Sequence, residues 1–88
     1  GAVYVFSRDQ ANWNQVSYVK AANTGTTINF GGNTLSSIGG YPVLSNISMD
    51  SGGTTFAVGA SNEDSSGVGV NGGLTVNGAI NSGAVYLY

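Results

Sequence analysis

Apolar and polar positions alternate with a period of two through most of this chain, and no stretch repeats with the helical period. Residues 1–6 read GAVYVF, with Ala2, Tyr4 and Phe6 on one side and Val3 and Val5 on the other. β-Branched and aromatic residues in that alternation specify a strand. A polar turn of about six residues at 7–12 is followed by renewed alternation over 13–21, so residues 1–21 read as a β-hairpin. The spacing sets Val16 and Tyr18 to one side of its second strand and Trp13 and Val19 to the other, and the hairpin is expected to turn Tyr4 and Phe6 toward the core. Residues 23–27 are a loop by composition. Phe30 stands before the glycine pair Gly31-Gly32 as an aromatic plug, and Pro42 forces Tyr41 into extended geometry. Residues 43–49 alternate with Val43, Ser45, Ile47 and Met49 on one face. After a turn at 50–53, residues 54–60 (TTFAVGA) supply a partner strand, so 43–60 form a second hairpin.

Residues 61–82 are the least regular. They open on the polar run Asn62-Glu63-Asp64-Ser65-Ser66 and contain two Asn-Gly steps, at 71–72 and 77–78, which are strong turn signals. The segment reads as a long surface loop with one or two small turns, and its removal is expected to leave the rest folded. Residues 83–88 then read GAVYLY. Gly83, Ala84, Val85, Tyr86, Leu87 and Tyr88 thus repeat Gly1, Ala2, Val3, Tyr4, Val5 and Phe6 with two conservative changes. Such a match marks one period of a repeat plus the first strand of the next. Either set of six fits beside 54–60 without moving a side chain to the wrong face, so these twelve residues are the candidate self-association segments.

Composition narrows the class. The chain has 88 residues, 7% charged, with two basic and four acidic side chains and neither Cys nor His. A typical domain has about a quarter charged residues. Ser, Thr, Asn and Gly provide the polar surface here, as in extracellular repeats and fibres, so an extracellular or cell-surface location is expected. One domain at most is expected, with a modest core and no disulfide or zinc to reinforce it. The lack of basic clusters argues against nucleic acid, and no apolar run is long enough to span a bilayer. No leader pattern opens the chain; an exported protein is expected here in processed form or as an internal piece.

The order GAVYVF, a Trp strand ending YVKAANTG, Phe30-Gly31, FAVGAS, NEDSS and SGAVYLY resembles the FG-GAP repeat of integrin-α-like β-propellers. Phe30-Gly31 matches the FG, and Gly59-Ala60-Ser61 matches GAP with Ser in place of Pro. The resemblance implies an all-β fold of antiparallel sheets: one propeller-blade-like repeat plus one strand of the next, needing neighbours to complete it. Two features depart from it. About ten residues around 33–42 are additional, and the calcium loop of the family is reduced at 50–54 to the single carboxylate Asp50, too few for calcium.

Other chemistry is sparse. No His or Cys is present to activate a nucleophile, so no catalytic role is expected. Glu63-Asp64 are adjacent in a loop rather than opposed across a cleft, and their plainer reading is a solvated loop tip. With Asn62 they form a candidate calcium site, the only cofactor the chain suggests. The glycine pairs lack the Lys-Ser/Thr and helix of a phosphate loop. Asn46-Ile47-Ser48 is a glycosylation sequon inside a strand. Trp13, Tyr18 and Tyr41 are candidates for stacking on a sugar, beside the plainer reading of aromatic packing. The function expected is therefore a non-enzymatic extracellular structural or adhesive unit that pairs with copies of itself, as a filament or surface-assembly subunit. The alternatives are a soluble module, calcium-assisted or lectin-like, binding a host or cell-surface ligand, or one blade of a larger propeller.

Overall fold

The structure is a computed structural model and describes residues 1–25, 28–32, 46–73 and 75–88. The expected strand at 43–45, Tyr41 and the additional segment at 33–42 lie outside the described residues. The described chain is all-β: β1 (Val3–Asp9), β2 (Asn12–Val19), β3 (Ile47–Met49), β4 (Phe56–Ala60) and β5 (Ala84–Leu87). β1 and β2 form one antiparallel sheet, and the other three form a second in the order β3-β4-β5.

The first hairpin is longer and tighter than its composition indicates. Polar residues Ser7, Arg8 and Asp9 continue β1, pairing with Asn14, Trp13 and Asn12. The connection shrinks to Gln10-Ala11, with Gln10 at φ 53°. A left-handed residue there suits the twist of a two-residue hairpin. Opposite the Val5–Phe6 step the register shifts, with Val5 facing Ser17 and Phe6 facing Gln15. Val16 is therefore an extra residue, a β-bulge. The bulge changes the parity of β2 and corrects the expected facing: Trp13 pairs with Arg8 and so shares the face of Tyr4, Phe6 and Tyr18 instead of opposing it.

That face is not the core face. Val3 is buried and Val19 packs beside the core cluster, whereas Tyr4 and Phe6 are 55% and 53% exposed. The expectation that Tyr4 and Phe6 point inward is thus corrected. Both faces of β1 are apolar, so alternation alone defines two faces without choosing between them. Small valines fit the close approach to Gly31: at φ +73°, Gly31 would bring a Cβ to 2.8 Å from Val3 Cγ2. A ring has no room there.

Phe30, 2% exposed, lies at the centre. Phe30 meets Tyr86 edge-on at 5.4 Å and Tyr88 at 6.2 Å, and Tyr88 stacks on Phe56 at 5.2 Å. These geometries suit the ring quadrupoles. Val58 and Ala60 from β4, with Val3, Ala21 and Ile28, complete the buried set. Phe30 bridges to Ala60, and the Gly31 N–H donates to the Gly59 carbonyl at 3.0 Å. The "FG" step thereby joins the β3 side of the second sheet.

The β3–β4 turn is organised by Asp50. Its carboxylate accepts the Thr54 and Thr55 N–H groups at 2.8 and 3.0 Å and the Thr54 hydroxyl at 3.0 Å. The bond from Thr55 N–H, then those from Thr54, hold this carboxyl below the usual carboxylate range. The Asp50 carboxylate is thus engaged by the turn's own donors.

Between β4 and β5, residues 61–82 form no strand among the described residues. Asn71 sits in a turn at φ 57°, while the second turn falls at Ile80-Asn81, with Asn81 at φ 56°, rather than at Asn77-Gly78.

Truncating Phe30 to Ala is expected to cost about 3–5 kcal/mol through the cavity left at the aromatic centre. Tyr4→Asp should cost less than about 1 kcal/mol, chiefly the cross-strand contact with Tyr18. Urea unfolding of both variants checks the order; a Tyr4→Asp loss equal to that of Phe30→Ala contradicts the facing of β1.

Candidate functional site

Three features outside the core carry polar chemistry or unused surface: a buried carboxylate, the duplicated strand and an exposed aromatic face.

Glu63 is 1% exposed, so it is not part of a solvated loop tip. The turn after β4 carries it inward. Its Oε1 accepts Asn23 Nδ2 at 2.7 Å; its Oε2 accepts the Ser65 N–H at 3.0 Å and the Ser65 hydroxyl at 2.6 Å. Asn23 Oδ1 in turn accepts the Tyr86 hydroxyl at 2.6 Å. The Glu63 carbonyl accepts Gly83 N–H at 2.9 Å and Ser82 Oγ at 3.2 Å. A charge withdrawn from water must be satisfied, and here Asn23 and Ser65 satisfy it. Glu63 therefore pins β5 and the 61–82 segment to the loop after β2. Burial first, then the Glu63 charge, raises the Tyr86 hydroxyl above its ordinary pKa; burial likewise raises Tyr88.

Asn62, Glu63 and Asp64 each bond to different partners. Asn62 Oδ1 accepts the Ser61 hydroxyl at 3.1 Å, and Asp64 Oδ1 accepts the Asn81 N–H at 2.7 Å. Among the described residues no group of three or more His, Cys, Asp or Glu side chains is placed to hold a metal ion. A calcium ion at these residues would have to displace donors already bound. Asn46, the sequon residue, donates its Nδ2 to the Gly32 carbonyl at 2.8 Å, and its own carbonyl accepts Gly59 N–H at 2.7 Å. A sugar on that nitrogen would compete with this bond.

The duplicated strands occupy different environments. β5 lies on β4 in the register Ala60–Ala84, Gly59–Val85, Val58–Tyr86 and Ala57–Leu87. Tyr86 and Tyr88 face Phe30, while Val85 and Leu87 are 71% and 75% exposed. β1 reverses this: its valine side faces the core and its aromatic side faces solvent. The Tyr88 hydroxyl also donates to the Lys20 carbonyl at 3.1 Å, a bond Phe6 has no hydroxyl to make. A groove of about 670 Å³ runs along β5, lined by Val85, Tyr86, Leu87 and Tyr88 on one side and by Gly67, Val70 and Gly72 on the other.

The exposed face of the first hairpin gathers Tyr4, Phe6, Trp13 and Tyr18. Tyr4 and Tyr18 pack at 5.1 Å, Arg8 lies 5.9 Å over Trp13, and Lys20 lies 6.0 Å from the Tyr18 ring. Tyr18 and Trp13 thus share one face of the hairpin, whereas Tyr41 lies outside the described residues. Sequence reading missed the Asn23–Glu63–Ser65–Tyr86 network. Its members span positions 23 to 86 and each fits an ordinary loop or strand locally, so only the shortage of charges in the chain singles Glu63 out.

Comparisons with protein-family models, curated proteins and solved structures find no match to this chain.

Removing one member of the network strands the others. Glu63→Gln is expected to destabilise by about 1.5–3 kcal/mol and Tyr86→Phe by about 0.5–1.5 kcal/mol. The pair should be non-additive because both act through Asn23, and a double-mutant cycle by urea unfolding measures this. The raised tyrosines add a pH dependence. Their stabilisation is fully present below the unfolded-state value near 10 and is lost as pH rises through their higher folded-state values. Unfolding midpoints that stay flat well above pH ~10 contradict the partial burial of the Tyr86 hydroxyl.

Proposed function

We propose that this chain is a non-enzymatic, extracellular structural or adhesive β unit, similar to an FG-GAP blade, that associates with copies of itself through β-strand pairing as a filament or surface-assembly subunit. The observation that carries the reading is the duplication of β1 in β5, each paired among the described residues with one strand. An unpaired strand edge presents N–H and C=O groups to another chain. Here the edges lack the charges that commonly guard against such pairing: β5 has none, and β1 carries only Arg8 and Asp9 at its far end. The composition supports an extracellular setting, with its few charges, abundant Ser, Thr, Asn and Gly, and no Cys. The absence of His and Cys disfavours nucleophilic catalysis.

One observation favours a second reading. The bulge sets Trp13 and Tyr18 on a single exposed face, an arrangement able to stack on sugar rings in a lectin-like module.

Sedimentation across a range of concentrations tests the first reading. The mass of the species should grow with concentration beyond one chain. A monomer at every concentration, joined by binding on a glycan array, favours the lectin-like reading instead.

A further inference from the structure

We propose that the β1–β2 hairpin of a second copy seats on β4 in the place of β5, with Tyr4 over Phe30 and Phe6 against Phe56. This rests on the self-association reading and specifies its joint.

β1 and β5 are two copies of one strand. Each buries the face that the other exposes: Val3 and the Phe30-facing Tyr86 lie inward, while Tyr4, Phe6, Val85 and Leu87 face solvent. A single strand with both faces covered would lie between two cores, its valines on one and its aromatic rings on the other. β1 already covers its own core with Val3. Its aromatic side lacks only a layer like the one that Tyr86 and Tyr88 cover on β4.

The register follows from the observed pairing of β5. Val3, Tyr4, Val5 and Phe6 of the incoming copy fall opposite Gly59, Val58, Ala57 and Phe56. Alternation is preserved at every position. Tyr4 brings a hydroxyl where Tyr86 has one, so the bond to Asn23 Oδ1, and through it the satisfaction of Glu63, is retained. Of the two side-chain bonds that β5 makes, only Tyr88–Lys20 is lost, since Phe6 stands there. The exchange replaces one seated strand by its equivalent, so its driving force is what accompanies β1. β2 of the second copy then lies beside the exchanged slot, across from Gly67, Val70 and Gly72, and carries Tyr18 and Trp13 out of solvent. Half-exposed aromatic side chains of this size remove several hundred Å2 from water, a substantial share of the ~800 Å2 each partner gives to a standard interface. In the closed monomer β5 is held nearby by its own chain, so exchange requires concentration.

Cysteine pairing reads the joint directly, because the chain has no native Cys. Val5→Cys chains are mixed with Ala57→Cys chains at a concentration where the wild type associates, and then oxidised. A disulfide-linked heterodimer is expected. Tyr4→Cys mixed with Ala57→Cys, which places the thiols on opposite faces, should give none. Tyr4→Ser/Phe6→Ser should weaken association by about tenfold or more, with the monomer still folded because both side chains are exposed there. Tyr88→Phe, which deprives β5 of its bond to Lys20, should strengthen it. If the wild type associates but the Val5/Ala57 link fails to form, or the Tyr4/Ala57 link forms equally well, this joint is wrong and strand pairing at another edge remains. A wild type that never associates overturns the self-association reading and the joint with it.

Discussion

Phe30 is the ring around which the two small sheets close. Among the described residues the sheets have two and three strands. Their shared content is the layer between them: Phe30 at the centre, Val3 and Val19 on one side, Val58, Ala60, Tyr86 and Tyr88 on the other. Everything that positions the unusual groups passes through this layer. The Phe30–Ala60 bridge and the Gly31–Gly59 bond place the glycine step against β4. The missing side chain at Gly31 lets β1 approach closely enough to bury Val3.

Much apolar surface stays exposed among the described residues, Val68, Val70 and Ile80 included, and two parts of it lie on the duplicated strands. One is the aromatic face of β1 and β2; the other is the Val85–Leu87 side of β5. In a chain with so few charges, these faces are not balanced by a strongly solvated surface. That the two lie on sequence-equivalent strands is the physical basis for the proposed exchange. Glu63 sets its chemical condition: the buried carboxylate and Asn23 require a hydroxyl at the Tyr86 position, and Tyr4 is the residue of β1 that supplies it.

Much of the fold was legible in local pattern. The all-β class, the pairing of the first two strands and the partnership of β4 with a preceding strand follow from alternation and turn residues. Face assignment was not legible, because β1 is apolar on both sides and its burial is decided by the distant Gly31. Nor was the parity of β2, since a bulge at Val16 leaves no mark in composition yet moves Trp13 across the sheet. Polar Ser7–Asp9 read as turn but continue a strand, because cross-strand pairing overrides residue preference there. The Glu63 network was hidden for a related reason. Its partners lie 40 and 63 residues apart along the chain, and only tertiary closure brings them together.

In the proposed exchange, one strand slot on β4 accepts either of two equivalent strands. Isotope-filtered NMR on a mixture of labelled and unlabelled chains tests it at the ring itself. At concentrations where chains associate, contacts should appear between the Phe30 ring of one chain and the Tyr4 ring of another, with weakening of the internal Phe30–Tyr86 contact. Association in which Phe30 contacts only Tyr86 and Tyr88 of its own chain would contradict the account.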